Sequence, residues 1–251
     1  MIALIDGDIL VYQAAAVAEK PVDWGDGLWT LHAEEEEAWA HFQSALNVTL
    51  EAVGTETFIL AFTDKKNFRK DVLPTYKSNR TGVRKPMLLP YLRSRAEARY
   101  VCQTMEGLEG DDVLGIIATK EPKGDYVICT IDKDLKTIPC KHYNFGTKEF
   151  FETDVETSDK YHLLQTLTGD TTDGYKGCPS IGIKTAEKIL QDIKPEDMWE
   201  AVVSTYAKAG LGEEEALTQA RVARILRATD YNFNTKEVIL WNPTKKITSP
   251  A

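Results

Sequence analysis

The sequence has few features of a secreted or membrane protein. Its four cysteines lie far apart and form no C-x-x-C pair, so we expect free thiols in a reducing compartment. No apolar run approaches the roughly 20 residues that a membrane-spanning helix needs. The first residues carry neither a basic leader nor a long apolar segment, and we therefore expect no signal peptide. These absences favour a cytoplasmic protein.

Histidine is also scarce, which limits the catalytic chemistry. The four histidines are scattered through the chain, and no Ser-His-Asp arrangement stands out. Cys140 and His142 are close in the sequence, but a zinc site would need two further ligands nearby. The sequence therefore gives little support to a catalytic triad or to a zinc centre.

Basic residues are concentrated in one part of the chain. The 251 residues carry a net charge of −9, whereas residues 65–99 hold eleven lysines or arginines and two acids. That segment, the basic block, has a net charge of +9 and leaves −18 for the rest. A basic block in an acidic chain predicts a local anion site, and its partner could be a polyanion. A solvated helical face is the alternative.

The first part of the chain alternates between strand and helix patterns. Apolar runs predict strands at 2–5, 57–62 and 126–131, and apolar residues three or four apart predict helices at 34–53 and from 109 onward. Later residues predict helices near 158–168, 183–191, 196–208 and 213–228, and a last strand at 237–241. This order predicts an α/β fold, with a largely parallel sheet flanked by helices over 1–153 and a helical subdomain over 154–251.

Carboxylates follow all three of these strands and recur at two further points. They are Asp6 with Asp8, Asp64, and Asp132 with Asp134 at the strand ends, Glu109, Asp111 and Asp112 at a helix start, and Asp170 and Asp173 in a turn. Because the carboxyl ends of parallel strands share one sheet edge, we expect these groups to converge. Any one of them could be a capping or turn residue, but so many carboxylates together would repel each other without cations.

An acidic cluster without histidine or cysteine suits a hard metal ion such as Mg²⁺ or Mn²⁺. Two such ions are the usual arrangement for phosphodiester hydrolysis. The basic block would then hold a phosphate backbone while the acidic cluster cuts it.

Six motifs, each weak alone, follow one another from residue 2 to about 190. They are Asp6-Gly-Asp8, Phe62-Thr-Asp64, Tyr76-Lys-Ser-Asn-Arg80, Glu109-Gly-Asp-Asp112, Asp132-Lys-Asp134, and Gly169-Asp-Thr-Thr-Asp-Gly with Gly182-Ile-Lys184. In this order they resemble the flap endonuclease family of structure-specific 5′ nucleases, and most closely its phage 5′→3′ exonucleases. The tail Ala223-Arg-Ile-Leu-Arg227 also resembles the phage subgroup.

The resemblance implies a PIN-like core, a helical arch in the basic region at about 74–99, and a helix–three-turn–helix element near 177–191. It implies a 5′→3′ exonuclease or flap endonuclease that cuts DNA with two Mg²⁺ or Mn²⁺ ions and leaves 5′-phosphate ends. Its place would be phage DNA replication or genome degradation, in the host bacterial cytoplasm. The implied metal ligands are Asp6, Asp64, Glu109, Asp111, Asp112, Asp132, Asp134, Asp170 and Asp173.

The resemblance also implies how DNA is held. Lys77 would stabilise charge on the scissile phosphate, Arg80 would grip a phosphate, and Tyr76 would stack on a base. The catalytic candidates are thus Lys77, Arg80, Asp6 and Asp132, and the further DNA contacts are Arg84, Lys85, Gly182, Lys184 and Lys188. The implied substrate is duplex DNA with a 5′ end, flap or nick, and an RNA–DNA hybrid is a further candidate. Pro86 and Pro90 interrupt the short arch, so whether the 5′ strand threads it stays open.

The segment 177–185 differs from a nucleotide-binding P-loop by one inserted residue, Ile183, and follows a turn rather than a strand. The family resemblance implies that it grips duplex backbone, often with a monovalent cation such as K⁺ at the 177–183 loop. A plain helix–turn–helix is the alternative.

Two other functions are weighed against the nuclease. A haloacid-dehalogenase-type phosphatase would use Asp6 as nucleophile, Asp8 as acid and base, and Asp170 with Asp173 for Mg²⁺. It needs a strand before Gly169, where residues 163–167 predict a helix. A non-catalytic DNA-binding protein is the other alternative.

Overall fold

The computed structural model describes residues 1–121 and 124–243. Its strands are β1 (Ile2–Asp6), β2 (Lys20–Asp23), β3 (Trp29–His32), β4 (Phe58–Ala61), β5 (Cys102–Gln103), β6 (Tyr126–Cys129), β7 (Lys141–Asn144), β8 (Glu149–Glu152), β9 (Tyr231–Asn232) and β10 (Glu237–Val238). Its α-helices are α1 (Gly7–Val17), α2 (Glu35–Val53), α3 (Arg69–Val72), α4 (Leu89–Arg99), α5 (Gly110–Thr119), α6 (Val155–Thr168), α7 (Ile183–Leu190), α8 (Met198–Lys208) and α9 (Glu213–Ala223).

A six-stranded sheet with the order β5-β4-β1-β6-β7-β8 forms the centre. All neighbouring strands are parallel except β7 and β8, which form an antiparallel hairpin. The predicted largely parallel sheet flanked by helices is therefore confirmed. Because β1 lies between β4 and β6, the carboxyl ends of these three strands meet at one edge.

Alternating side chains of the central strand divide the core into two layers. Ile5 packs with Leu10 and Phe42 in the layer that contains α1, α2 and α4. Leu4 faces the opposite layer, where it packs with Leu114 of α5 and with Leu226, which follows α9. A third apolar cluster joins α6, α7, α8 and α9, in the region predicted to be helical.

Local capping chemistry fixes the helices that start at this sheet edge. Asp6 ends β1 and caps α1, accepting from the Ile9 amide at 3.1 Å. At the start of α5 Glu109 and Asp112 form a capping box, in which each side chain accepts from the other's backbone amide. Acidic side chains are thus turned toward this edge by the same bonds that begin the helices.

The structure differs from the predicted elements in several places, among them the end of α9, the last predicted strand and one exposed hairpin. The helix predicted at 213–228 ends at Ala223, because Arg224 is extended. The strand predicted at 237–241 is paired only over Glu237–Val238. The hairpin of β2 and β3 was not predicted, since both strands are exposed on both faces and lack an alternating apolar pattern.

The basic block contains the short helices α3 and α4, and the predicted arch at about 74–99 consists of α4 and the preceding turns, which include one 3-10 turn at Ser78–Arg80. Pro90 lies in the first turn of α4, where proline is tolerated, and the helix therefore starts beside it. The domain division between 153 and 154 stays a prediction, and residues 244–251 lie outside the described residues. No helix among those described has the length and apolar character to cross a membrane.

Candidate active site

A cavity of about 1030 Å³ lies at the carboxyl ends of β1, β4 and β6. Its acidic lining residues are Asp6, Asp8, Asp64, Glu109, Asp111, Asp132, Asp134 and Asp173. Its basic lining residues are Lys65, Arg69, Lys77, Arg80, Arg84, Lys85 and Arg93. The structure therefore brings the strand-end carboxylates and much of the basic block to the same cavity.

Three carboxylates of this cavity, those of Asp6, Asp111 and Asp132, have pKa values raised by burial and by neighbouring carboxylates. Burial, and next the charge of Asp8, raises the pKa of Asp6 to about 7. Burial also raises the pKa of Asp111 well above its usual range, with the charges of Asp6 and Asp132 adding to it. The pKa of Asp132 is raised too, mainly by burial. Carboxylates that disfavour each other's charge in this way favour a bound cation.

Asp134 adds a buried carboxylate oxygen to this cavity. Its Oδ1 is buried without a hydrogen-bond partner among the described residues. Burial and then the charge of Asp132 raise the pKa of this carboxyl to about 7. An unpartnered, buried carboxylate oxygen beside other carboxylates is a natural ligand for a hard cation.

A second group of side chains links the arch base to the acidic turn. Lys77 Nζ pairs with Glu109 Oε1 and lies 3.5 Å from Asp173 Oδ2. The phenol oxygen of Tyr76 lies 2.8 Å from Glu109 Oε2 and 2.9 Å from Asp173 Oδ2. Arg80 Nη2 donates to Asp173 Oδ1 at 2.7 Å. These contacts join three segments that are far apart in the sequence.

The backbone at Lys77 is also constrained by this turn. Its φ is +54°, in the left-handed region that non-glycine residues rarely adopt, and its amide donates to the Asp173 carbonyl at 2.7 Å. The surrounding contacts therefore hold Lys77 in a conformation that costs free energy, as is common at functional sites.

Two predicted roles do not fit the observed geometry. Tyr76 is only 2% exposed and its hydroxyl is engaged, so its ring is not available to stack on a base. Asp112 is fully buried, and both of its oxygens accept from Arg69 at 2.7 Å. Those oxygens also accept from the amides of Glu109 and Leu226, so Asp112 has no free position for a metal ion.

Two further candidates lie toward the margin of the cluster. Asp64 lines the cavity, and its pKa is lowered by hydrogen bonds, first from the Gly107 amide. Asp170 Oδ1 accepts from the amides of Thr172 and Asp173 within the acidic turn, and Lys133 Nζ lies 3.7 Å from Oδ2. Both carboxylates therefore accept hydrogen bonds from backbone amides of loop residues.

The donor set fits divalent metal ions, although the side chains are not gathered into a finished metal site. Among the described residues, no three histidine, cysteine or acidic side chains are grouped so that they could hold an ion as they stand. The fit rests on the all-oxygen donor set, the mutual repulsion of the buried carboxylates, and the unpartnered oxygen of Asp134.

The remaining basic candidates divide between the cavity wall and the helical region. Arg84 and Lys85 line the cavity, where Arg84 donates two hydrogen bonds to Glu19 at 2.8 and 2.6 Å. Gly182, Lys184 and Lys188 do not line it. They are exposed at the start and along one side of α7, whose opposite side is buried.

Sequence reasoning overlooked the contacts of several residues that shape the site, among them Thr130 and Arg93. Thr130 donates to Asp6 Oδ2 at 2.9 Å, and its position directly after β6 was the available signal. Arg93 of α4 lines the cavity, stacks on the Phe62 ring at 4.9 Å and donates to the Thr63 carbonyl at 2.7 Å. Its membership of the basic block gave no sign of these specific contacts.

The chain is similar to known proteins both in sequence and in fold. Residues 1–167 match the family described as 5′-3′ exonuclease, N-terminal resolvase-like domain. The chain is 35% identical to the exodeoxyribonuclease of Enterobacteria phage T3 and to the exonuclease of Escherichia phage T7, in each case over 96% of this chain and 93% of the relative. Its fold is similar to that of the bacteriophage T5 D15 flap endonuclease, solved with DNA and metal ions, with a TM-score of 0.66, 17% identity, and coverage of 91% of this chain and 89% of that one.

Proposed function

The chain belongs to the 5′-3′ exonuclease family, and on that premise we propose that it hydrolyses DNA phosphodiester bonds at 5′ ends with the help of divalent metal ions. One observation carries the proposal: buried carboxylates and basic side chains line the same cavity, with Lys77 paired to Glu109 where the two groups meet. The products would carry 5′-phosphate and 3′-hydroxyl ends, with no covalent intermediate.

The acidic residues of the cavity would hold two Mg²⁺ or Mn²⁺ ions. The proposed ligands, some acting through water, are Asp6, Asp64, Glu109, Asp111, Asp132, Asp134, Asp170 and Asp173. When bound, two such ions supply an activated water and stabilise charge on the attacking and leaving oxygens. Asp112 is left out because its carboxylate is occupied by Arg69.

Lys77 and Arg80 would act on the phosphate itself. Lys77 is 18% exposed and stands between Glu109 and Asp173, so its ammonium group is held at the edge of the acidic cluster. A cation held there stabilises the negative charge that develops on a scissile phosphate. Arg80 is 49% exposed and bonded to Asp173, which leaves part of its guanidinium open to a neighbouring phosphate.

The duplex behind the cut would lie along α7. The exposed amides at the start of this helix and the exposed Lys184 and Lys188 suit the phosphate backbone. A helix–three-turn–helix element here would use the loop between α6 and α7. Gly169 and Gly177, both at positive φ, approach so closely that a side chain on either would meet the other segment's backbone. K⁺ at residues 177–183 is part of the same proposal.

The biological setting follows from the two phage relatives. We propose a role in phage DNA replication or genome degradation in the host cytoplasm, with an RNA–DNA hybrid as a second substrate. The phosphatase alternative is disfavoured because the segment before Gly169 is the helix α6 rather than a strand.

The decisive experiment offers the protein end-labelled blunt duplex, nicked and 5′-flap DNA with Mg²⁺, and sizes the products. We expect cutting at 5′ ends, its loss in excess chelator, and its return with Mg²⁺ or Mn²⁺. Ca²⁺ should support binding better than cutting, because its looser coordination misplaces the water. Full activity in excess chelator would overturn the metal-dependent mechanism, and binding without cutting under all conditions would favour a non-catalytic DNA-binding protein.

A further inference from the structure

Arg69 belongs to the basic block but is buried, with 2% of its surface exposed. Its guanidinium donates to both oxygens of Asp112 at 2.7 Å, and Nη1 lies 3.3 Å from Glu109 Oε2. The same group lies 4.7 Å from the Phe68 ring centroid and 5.9 Å from that of Tyr76. Arg69 thus contacts the start of α5 and the aromatic residue beside Lys77.

The guanidinium also holds a distant part of the chain. Its Nε donates to the Val222 carbonyl at 2.9 Å and its Nη2 to the Arg224 carbonyl at 2.6 Å. The Leu226 amide donates to Asp112 Oδ1 at 3.0 Å. These carbonyls lie at the end of α9, where a helix leaves carbonyls without partners, and Arg69 supplies donors for them. We call residues 222–226 the C-terminal strap.

The strap is packed directly against α5. A Cβ on Gly115 would lie 2.3 Å from the Leu226 carbonyl oxygen, so only glycine permits this approach of the two backbones. Just beyond the strap, the Ala228 amide donates to Thr119 Oγ1 at 2.8 Å. The match to the N-terminal domain of the exonuclease family ends at residue 167, so the strap lies beyond that domain match.

We infer that Arg69 is a positioning residue for the proposed reaction. The C-terminal strap holds Arg69 in place through its carbonyls and packs against α5 on the protein side of the active site. The inference rests on the proposed function. Glu109 Oε2 faces Arg69 and Tyr76, while Oε1 holds the Lys77 ammonium. Arg69 therefore fixes the rotation of the Glu109 carboxylate, and through it the place of Lys77. Each nitrogen of its guanidinium donates to the protein, and Nη1 also lies 3.3 Å from Glu109 Oε2, so this buried cation is engaged by the protein itself.

The competing explanation is that the Arg69–Asp112 pair only stabilises the fold. Removing one partner would leave a buried charge uncompensated, and such a variant can fail to fold. The informative variant is therefore Arg69→Met with Asp112→Leu, since replacing both partners by apolar groups of similar size is often tolerated. Leu46→Ala serves as the control for lost stability, because Leu46 is buried on α2 and lines no part of the cavity.

Each protein is compared with the parent in four measurements. These are the melting temperature, the affinity for 5′-flap DNA in chelator, the single-turnover cleavage rate in Mg²⁺, and the labelling rate of Lys77 by an amine-reactive reagent. We expect the double variant to fold, to bind DNA within about twofold of the parent, to cleave about tenfold or more slowly, and to label Lys77 several times faster. The Leu46→Ala protein should melt earlier yet cleave at close to the parent rate below its transition.

A second variant, Arg69→Lys, keeps Asp112 and the positive charge but cannot reach both strap carbonyls and Glu109. We expect a cleavage rate lower by about fivefold or more at unchanged DNA affinity. If either variant folds and cleaves within about twofold of the parent, Arg69 is structural only and the inference is wrong. A parent that binds but does not cut would instead overturn the proposed function itself.

Discussion

The ammonium group of Lys77 pairs with the Glu109 carboxylate across a gap of 32 residues in the chain. Buried Tyr76 touches the same carboxylate, and both residues also approach Asp173. Burial alone would lower the pKa of Lys77, but the charges of Glu109 and Asp173 outweigh it and raise this pKa, so the amine stays protonated. Lys77 therefore provides a fixed positive charge at the border of a cluster of carboxylates.

Replacing Lys77 should affect the chemistry more than the grip on DNA. For Lys77→Ala we expect single-turnover cleavage to fall by about tenfold or more, because a cation beside the scissile phosphate is lost, while DNA affinity falls only modestly. Lys70→Ala is the matched control, since Lys70 is an exposed lysine of the basic block that does not line the cavity. A Lys77→Ala protein that lost affinity alone would contradict this role.

Replacing Asp132 should slow cleavage without weakening DNA binding. It follows β6 at the sheet edge, where the pKa values of Asp111 and Asp134 are raised first by their own burial and further by the charge of Asp132. For Asp132→Ala we expect the cleavage rate to fall by about a hundredfold or more. DNA affinity without metal should hold or rise, because a negative charge near phosphate is removed.

Asp154→Ala provides the control for the cap that Asp132 also supplies. Asp132 accepts from the Asp134 amide at 2.8 Å, and Asp154 similarly accepts from the Thr157 amide at 2.7 Å at the start of α6. Loss of either cap should cost about 1 kcal/mol of stability. Only Asp132→Ala should lose cleavage, and near-parental cutting by this variant would reduce Asp132 to a cap.

The sheet edge could be predicted from the sequence because it depends on local patterns. Each apolar run that ends in aspartate specifies both a strand and the position of its carboxylate, as at Asp6 and Asp132. Pairing between distant segments is not encoded in this way. In the sequence, Arg69 cannot be distinguished from the surface cations of the basic block. In the fold it is buried and pairs with Asp112, because α5 and the strap pack around it.

The contacts of Tyr76 and Asp112 also depend on pairing between distant segments, which their motifs did not indicate. Their motifs place them beside residues that line the cavity, and a motif cannot show which of two neighbouring side chains is buried in the protein core. In the fold, Tyr76 carries the hydroxyl that bridges Glu109 and Asp173, and Asp112 closes the α5 capping box. Both side chains are buried, and their hydrogen bonds hold other residues of the site in place.

Lys184 and Lys188 should contribute mainly to duplex affinity. They are exposed one turn apart on α7 and lie outside the cavity, so their loss should leave the cleavage rate at saturating protein nearly unchanged. For the double alanine variant we expect weaker duplex binding and a salt dependence flatter by about 0.9 per lost phosphate contact. Salt-titrated binding measures this slope. A double variant of Lys148 and Lys236, two exposed lysines in hairpin turns, should behave like the parent.

His162 should make the stability of the protein sensitive to mild acid. The side chain is 1% exposed, donates from Nε2 to the Ala220 carbonyl at 2.8 Å, and packs edge-on against Trp241. Burial, followed by the charges of Arg224 and Arg227, lowers its pKa from 6.5 to about 3. The folded protein therefore keeps this imidazole neutral at pH values where the unfolded chain binds a proton.

The sign of the effect follows from this difference in proton binding. The stability that His162 contributes is fully present above pH 6.5 and is lost as the pH falls toward 3, by about 1.4 kcal/mol for each unit well below 6.5. Asp6 and Asp134, whose pKa values are raised, act in the opposite direction, but they do so equally in parent and variant. The comparison between two proteins therefore isolates the histidine.

Urea unfolding at pH 7.5 and 5.5 tests this prediction with His162→Gln, which removes the titration. We expect the change in unfolding free energy between the two pH values to be less destabilising in the variant, by about 1.4 kcal/mol, even though the variant is less stable at pH 7.5. His41→Gln is the control for a histidine substitution outside the core, because His41 is exposed on α2. If His162→Gln and the parent lose the same stability on acidification, the buried imidazole does not govern this transition, and the acid sensitivity must arise from other groups.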